Sequence, residues 1–111
     1  MPGNLTPKTL YIGADSASNV YTLSSNSGSY AIIKNINICN TGAGTILCNV
    51  HLIPSGGSAG ANNRIMSNYV VASAETVSYD SAIVMNAGSS IYVSSNVTTA
   101  TYVISGVEYI N

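Results

Sequence analysis

The chain has 111 residues and a formal net charge of −1, with 6% of positions charged where an ordinary soluble domain has roughly 25%. Its length accommodates one domain with a modest core. Three cations, Lys8, Lys34 and Arg64, are too few and too dispersed to displace counterions from several phosphates or to hold an anionic bilayer, which excludes nucleic acid and membrane as partners. No eighteen apolar residues run together, and "MPGNLTPKTL" lacks the charged and apolar regions of a secretion signal. Polarity comes instead from 17 Ser, 9 Thr and 13 Asn, which compete for backbone hydrogen bonds and disfavour helix interiors, while Val, Ile and Tyr favour strands. The expected fold is all-β: a single-domain antiparallel β-sandwich, jelly-roll-like, of about eight short strands.

Residues 1–8 hold Pro2 and Pro7 without alternation and read as an extended N-terminal arm. The sandwich domain, 9–111, follows. Its short apolar runs are separated by Gly, Asn and Ser clusters and predict strands over 9–13, 19–24, 30–40, 45–53, 64–72, 75–85 with a break near Asp80, 90–95 and 100–110.

The segment "AIIKNINICNTGAGTILCNVHLIP" reads as a hairpin around Gly42–Gly44, with Ile38 opposite Cys48 and Ile36 opposite Val50 on an apolar face. Asn37 then meets Asn49, and Asn35 meets His51, on an amide-rich face. In this register Cys39 and Cys48 point to opposite faces, so both are expected as free thiols, Cys48 in the core and Cys39 near a sheet end. The last strand has Tyr102 and Ile104 on one side and Val103, Val107 and Tyr109 on the other. Apolar groups on both sides suit a central strand or one covered by a second copy. Gly106 in its middle marks a bulge or a close backbone approach.

Gly56-Gly57-Ser58-Ala59-Gly60 fits the nucleophile-elbow pattern, but the only histidine, His51, precedes the serine, and no helix follows it. One His and two diverging Cys supply neither a zinc set nor a jelly-roll metal site. The loop lacks the Gly-Lys-Ser/Thr ending that cradles phosphate. A glycosidase pair would have to come from only four acids, Asp15, Glu75, Asp80 and Glu108, and of these Glu75 and Asp80 suit a solvated rim better. The expectation is therefore a protein without catalytic residues, cofactor or metal. Eight Tyr with neither Phe nor Trp give every aromatic ring a hydroxyl, which suits interfaces and sugar surfaces.

A surface this poor in charge lacks the gatekeepers of a free domain and suits a subunit buried in an assembly. The stretches "YAIIKNINICNTG", "VHLIPSGGSAGANNRI", "VMNAGSSIYVSS" and "YVISGVE" resemble the small β-sandwich virion proteins of tailed bacteriophages, with length and architecture nearest the capsid-stapling decoration proteins of epsilon15-like podoviruses. The resemblance spans about residues 30–108. It implies a jelly roll without cofactor that binds the outside of the phage head and staples neighbouring major capsid subunits, as a homodimer rather than a trimer, made in the host bacterial cytoplasm and carried on the virion surface. The alternative is a tail-fibre or baseplate module that binds a host-surface glycan. Interface candidates are Pro2, Leu5 and Pro7 in the arm, Ser58 and Arg64 in the 54–64 loop, and Tyr102 and Tyr109 in the last strand.

Overall fold

The computed structural model describes residues 5–14, 17–97 and 99–111. Eight strands form: β1 (Leu5–Ala14), β2 (Ser18–Thr22), β3 (Tyr30–Asn40), β4 (Ile46–Ile53), β5 (Arg64–Val71), β6 (Thr76–Asn86), β7 (Ser90–Ser95) and β8 (Ala100–Tyr109), with one 3-10 turn at Ala61–Asn63. They build two four-stranded antiparallel sheets of order β1-β8-β3-β6 and β2-β7-β4-β5. Only β4 and β5 are neighbours both in sequence and in a sheet. Each of the other connections crosses from one sheet to the other, which is the eight-stranded jelly roll.

The interior is filled by alternate residues from both sheets. Ile33, Ile36, Ile38, Met85, Tyr102 and Ile104 descend from the first sheet, and Ile46, Cys48, Val50, Val71, Ile91 and Val93 rise from the second. Tyr102 is fully buried, and its hydroxyl donates to the Ser94 carbonyl of β7 at 3.1 Å. The one large aromatic group of the core thereby has its polar end satisfied across the sheet gap.

The expected β3–β4 hairpin is corrected here. β3 pairs with β8 and β6, β4 pairs with β7 and β5, and residues 41–45 cross from one sheet to the other. Ile36, Ile38, Cys48 and Val50 are all buried as expected, but they face each other across the core instead of lying side by side. Two apolar faces are satisfied equally by either arrangement, so alternation alone does not choose between them. Neither cysteine is in a disulfide; Cys48 is buried and Cys39 half-buried near the end of β3.

Residues 5–8, read as arm, are the first part of β1, paired from Leu5↔Tyr109 to Lys8↔Gly106. Pro7 is compatible with a strand there because β1 is a sheet edge. Residues 1–4, Pro2 among them, lie outside the described residues.

A line of irregularities crosses the first sheet at one level. β1 has an extra residue at Leu10, β3 one at Lys34, and β6 leaves two, Ser81 and Ala82, between the paired Asp80 and Ile83, which is the break expected near Asp80. The bulge in β3 reverses the parity of its buried positions, from Ala31 and Ile33 before Lys34 to Ile36, Ile38 and Asn40 after it. That shift lets Ile33 turn inward while its neighbour Ile32 faces out.

Candidate functional site

β8 supplies the reference for the outer face of the first sheet. Ala100, Tyr102 and Ile104 point inward, so Val103, Val107 and Tyr109 point out. Registers with the flanking strands then give two neighbouring rows: Leu5, Tyr109, Tyr30 and Asn86, and Pro7, Val107, Ile32 and Val84. Seven of these eight residues are apolar or aromatic, and they cross all four strands. Leu5 is 51% and Val84 54% exposed, while the rings of Tyr30 and Tyr109 stack at 5.3 Å and 14° between them. By strand spacing the two rows cover about 19 Å by 13 Å.

Beyond them the same face turns polar. Asn35 lies opposite Ser105 and Asp80, and its amide donates to Ser78 Oγ at 2.9 Å and Asp80 Oδ1 at 2.8 Å. Lys34, exposed at the bulge, stands between the apolar and polar ends.

The charges nearest the apolar end turn away from it. Glu108 is on the inward side of β8, where Lys8 Nζ approaches Oε1 at 3.2 Å and the Tyr21 hydroxyl of β2 donates to Oε2. The Tyr21 bond, helped by Lys8 against the opposing cost of burial, holds the Glu108 carboxyl below its ordinary range. Burial first, then Glu108, pushes the Tyr21 hydroxyl well above the ordinary tyrosine range.

The sign for Glu108 follows from linkage: its contribution to stability is complete above the ordinary glutamate range and is lost as pH falls through the lowered value. Glu108→Gln keeps an acceptor for Tyr21 but has nothing to titrate. It is expected to flatten the acid side of a Tm-against-pH curve relative to the unchanged protein, and parallel acid limbs would refute this assignment.

Ser58 and Arg64 belong to a different surface. The loop between β4 and β5 folds back over the outer face of the second sheet. His51 and Ile53 occupy outward positions, one residue out of phase with the inward Val50 and Leu52, yet are only 4% and 3% exposed. Asn63 seats the loop: its Nδ2 donates to the Ser58 carbonyl at 2.8 Å, and its Oδ1 accepts from Gly60 N at 3.1 Å and lies 2.8 Å from His51 Nδ1. With Nδ2 already assigned as donor, His51 must carry its hydrogen on Nδ1. Tyr92 closes the imidazole edge-to-face at 5.3 Å. His51 is thus an amide-bonded imidazole, but its partner is Asn63 and not Asn35, which the hairpin register placed opposite it, and it lies buried under its own loop in the other sheet.

Ser58 itself is exposed, as is Arg64, whose Nη1 donates to Ser67 Oγ at 3.1 Å. Of the interface candidates, the structure brings together Leu5, Pro7 and Tyr109, and separates them from Ser58 and Arg64. Tyr102 is removed from the surface altogether by its burial in the core.

Sequence reading missed Tyr30, Ile32 and Val84. A signal was present in the consecutive Ile32-Ile33 and Ile83-Val84, where adjacent apolar residues in a strand put one on each face. Among the described residues no three His, Cys, Asp or Glu side chains gather as a metal set and no enclosed pocket forms. Set against protein-family models, curated proteins and solved structures, the chain has no significant match in any of the three.

Proposed function

We propose that this protein is a structural component of a phage particle, a decoration or cement protein that binds the outside of the head and staples neighbouring major capsid subunits. The observation that carries the reading is the outer face of the first sheet. An apolar end of Leu5, Pro7, Tyr30, Ile32, Val84, Val107 and Tyr109 adjoins, past the exposed Lys34, a polar end that carries Asn35, Ser78, Ser105 and Asp80. Contiguous exposed apolar surface on a domain this size marks an interaction site, and Tyr-rich, charge-depleted composition is that of an interface centre.

The apolar rows, about 250 Å² in plan, are smaller than the roughly 800 Å² per partner of a standard interface. They are an anchor, and the polar end or a second copy must supply the rest. The mechanism is mass action: a protein that binds only the assembled shell stabilises that shell in proportion to its occupancy. The resemblance to phage virion proteins supplies the identity of the partner, the major capsid protein.

The test uses Leu5→Glu combined with Val84→Glu. Both side chains are more than half exposed, so folding is expected to be unchanged by circular dichroism and Tm. Occupancy on purified empty heads is expected to fall at least tenfold. Full occupancy by the double variant would remove this face from the interface. A count of copies in purified particles tests location: hundreds per particle fit a head protein, and a handful would refer the chain to a tail tip.

A further inference from the structure

The two long sides of the sandwich are closed differently. Between β1 and β2, Leu10 and Leu23 are buried, and Tyr11, Val20 and Tyr21 pack on the core. Their two hydroxyls are engaged, Tyr11 on the Ala14 carbonyl and Tyr21 on Glu108. That side is sealed.

Between β5 and β6, Val77 and Ile83 also pack on the core, but the gap between these two edges keeps two tyrosines exposed. Tyr69 lies opposite Cys48 and Tyr79 opposite Ile36, and both partners are fully buried. Residues directly opposite in an antiparallel pair share a face, so both tyrosines are on the core side of their sheets. Each is nevertheless 42% exposed, and neither hydroxyl has a hydrogen-bond partner among the described residues. The strands run in opposite directions from their connection at 72–75. Tyr69, two residues before β5 ends, and Tyr79, three after β6 begins, therefore stand at similar heights along the gap.

The edge beside Tyr79 is also little protected over Thr76–Asp80, up to the irregularity that follows Asp80. β1 carries Pro7 and a bulge at Leu10, β2 has only five residues with a register shift, and β5 is shifted twice within eight residues. These are the usual defences against a further strand. In β6 the run Thr76–Asp80 pairs in unbroken register with Cys39–Asn35, has no proline, and has one charge, Asp80, at its end. Its backbone groups turned away from β3 form a ready template.

We propose that β6, over Thr76–Asp80, accepts an extended segment of a partner polypeptide as a fifth strand of the first sheet, and that alternate apolar or hydroxyl-bearing side chains of that segment enter the gap between Tyr79 and Tyr69. Backbone hydrogen bonds would supply affinity, and the two tyrosines specificity. Size favours a peptide strand over a second copy. Five residues span about 17 Å, and with Val77, Tyr79 and Tyr69 as its only apolar flank this edge falls well short of the roughly 800 Å² each subunit of a stable dimer buries. The proposal does not depend on the capsid reading, because it uses the backbone edge and the inward side chains of 76–80, whereas the capsid test changes the outward Leu5 and Val84.

A library of random twelve-residue peptides displayed against the full chain is the probe. Enriched peptides are expected to lack proline at alternate positions. When bound, they should protect the outward amides of 76–80 from hydrogen exchange in the unaltered protein. Tyr79→Lys, an inward charge at an edge, should weaken them at least tenfold, whereas Ser25→Lys, the same charge on an exposed loop, should not. The proposal is overturned if no peptide is enriched over the Tyr79→Lys protein, or if protection falls on β1, β2, β5 or the outer face. It is equally overturned if the unliganded chain dimerises at micromolar concentration through 76–80, which would give the edge to a second copy. Head occupancy measured on the same Tyr79→Lys protein keeps the two readings separate, since either can fail while the other stands.

Discussion

Asn40→Ala is expected to destabilise the protein by about 4 kcal/mol, with a fall in Tm on the order of 15–20 °C. Asn40 is fully buried at the end of β3, and its side chain ties three separate parts of the chain together. Nδ2 donates to the carbonyls of Gly44 at 2.7 Å, Val71 at 3.1 Å and Ala72 at 3.2 Å. Oδ1 accepts from Gly42 N at 2.9 Å and Thr99 Oγ1 at 3.0 Å. The crossing loop 41–45, the end of β5 and the approach to β8 thus meet on one amide. Around it, Asn40 N donates to the Glu75 carbonyl and Thr41 N to the Thr99 carbonyl.

Alanine would leave an N–H, a hydroxyl and carbonyl groups facing a cavity, at about 1–3 kcal/mol for each buried group left unpaired, reduced by local relaxation. Asn40→Asp makes the test chemical. The shape is kept, but a carboxylate faces three carbonyls and its ionised form is disfavoured, so its folded pKa lies above its unfolded one. Stability relative to the unaltered protein should therefore recover partly as pH falls. Urea unfolding at neutral and acid pH reads both effects, and a near-neutral Asn40→Ala would show that the hub is dispensable.

Gly106→Ala is expected to cost about 3 kcal/mol or more. A Cβ built on Gly106 would lie 2.0 Å from the Ile32 carbonyl oxygen and 3.0 Å from its carbon. The obstacle is backbone, so no side-chain rotation relieves it. β8 is held between β1 and β3, and the collision falls where both neighbours bulge. Relief requires parting β8 from β3, the pairing that holds the central strands together. Gly44→Ala is the control, because a Cβ there meets nothing within 4 Å; it should be neutral or slightly stabilising. Matched thermal melts distinguish the two, and equal Tm values would show that the close approach is not rigid.

Much of the architecture was legible along the chain for a simple reason. Strands 30–40, 64–72 and 90–95 are delimited by Gly, Asn and Ser clusters that end pairing locally, and such signals need no partner to be read. The buried set Ile36, Ile38, Cys48 and Val50 was legible because a period of two assigns residues to faces. Cysteine placement followed from the same parity, although the hairpin used to argue it does not exist. Gly106 read as either a bulge or a close backbone approach; only the structure shows that it is a close approach, to the Ile32 carbonyl.

The candidate surface was less legible. Leu5 and Pro7 were singled out from an irregular start, and Tyr109 from the two-sided last strand, yet nothing local shows that β1 lies beside β8, roughly a hundred residues away, with Tyr30 and Val84 completing the rows. Tyr102 looked as available as Tyr109. Only its position over the second sheet buries it. His51 was placed on an amide-rich face because its own strand alternates cleanly, whereas what covers it is a loop seated by Asn63.

The amino-acid sequence by itself determined the secondary structure, the parity of each strand and the scarcity of charge, because these depend on neighbours within a few residues. Which strands pair, which apolar face meets the core and which meets solvent, and which edges stay open were decided only by the tertiary structure. A strand with apolar residues on both sides satisfies local rules in either orientation. The choice is made by non-local contacts: the crossing held at Asn40, the close passage at Gly106, and the packing of one sheet on the other.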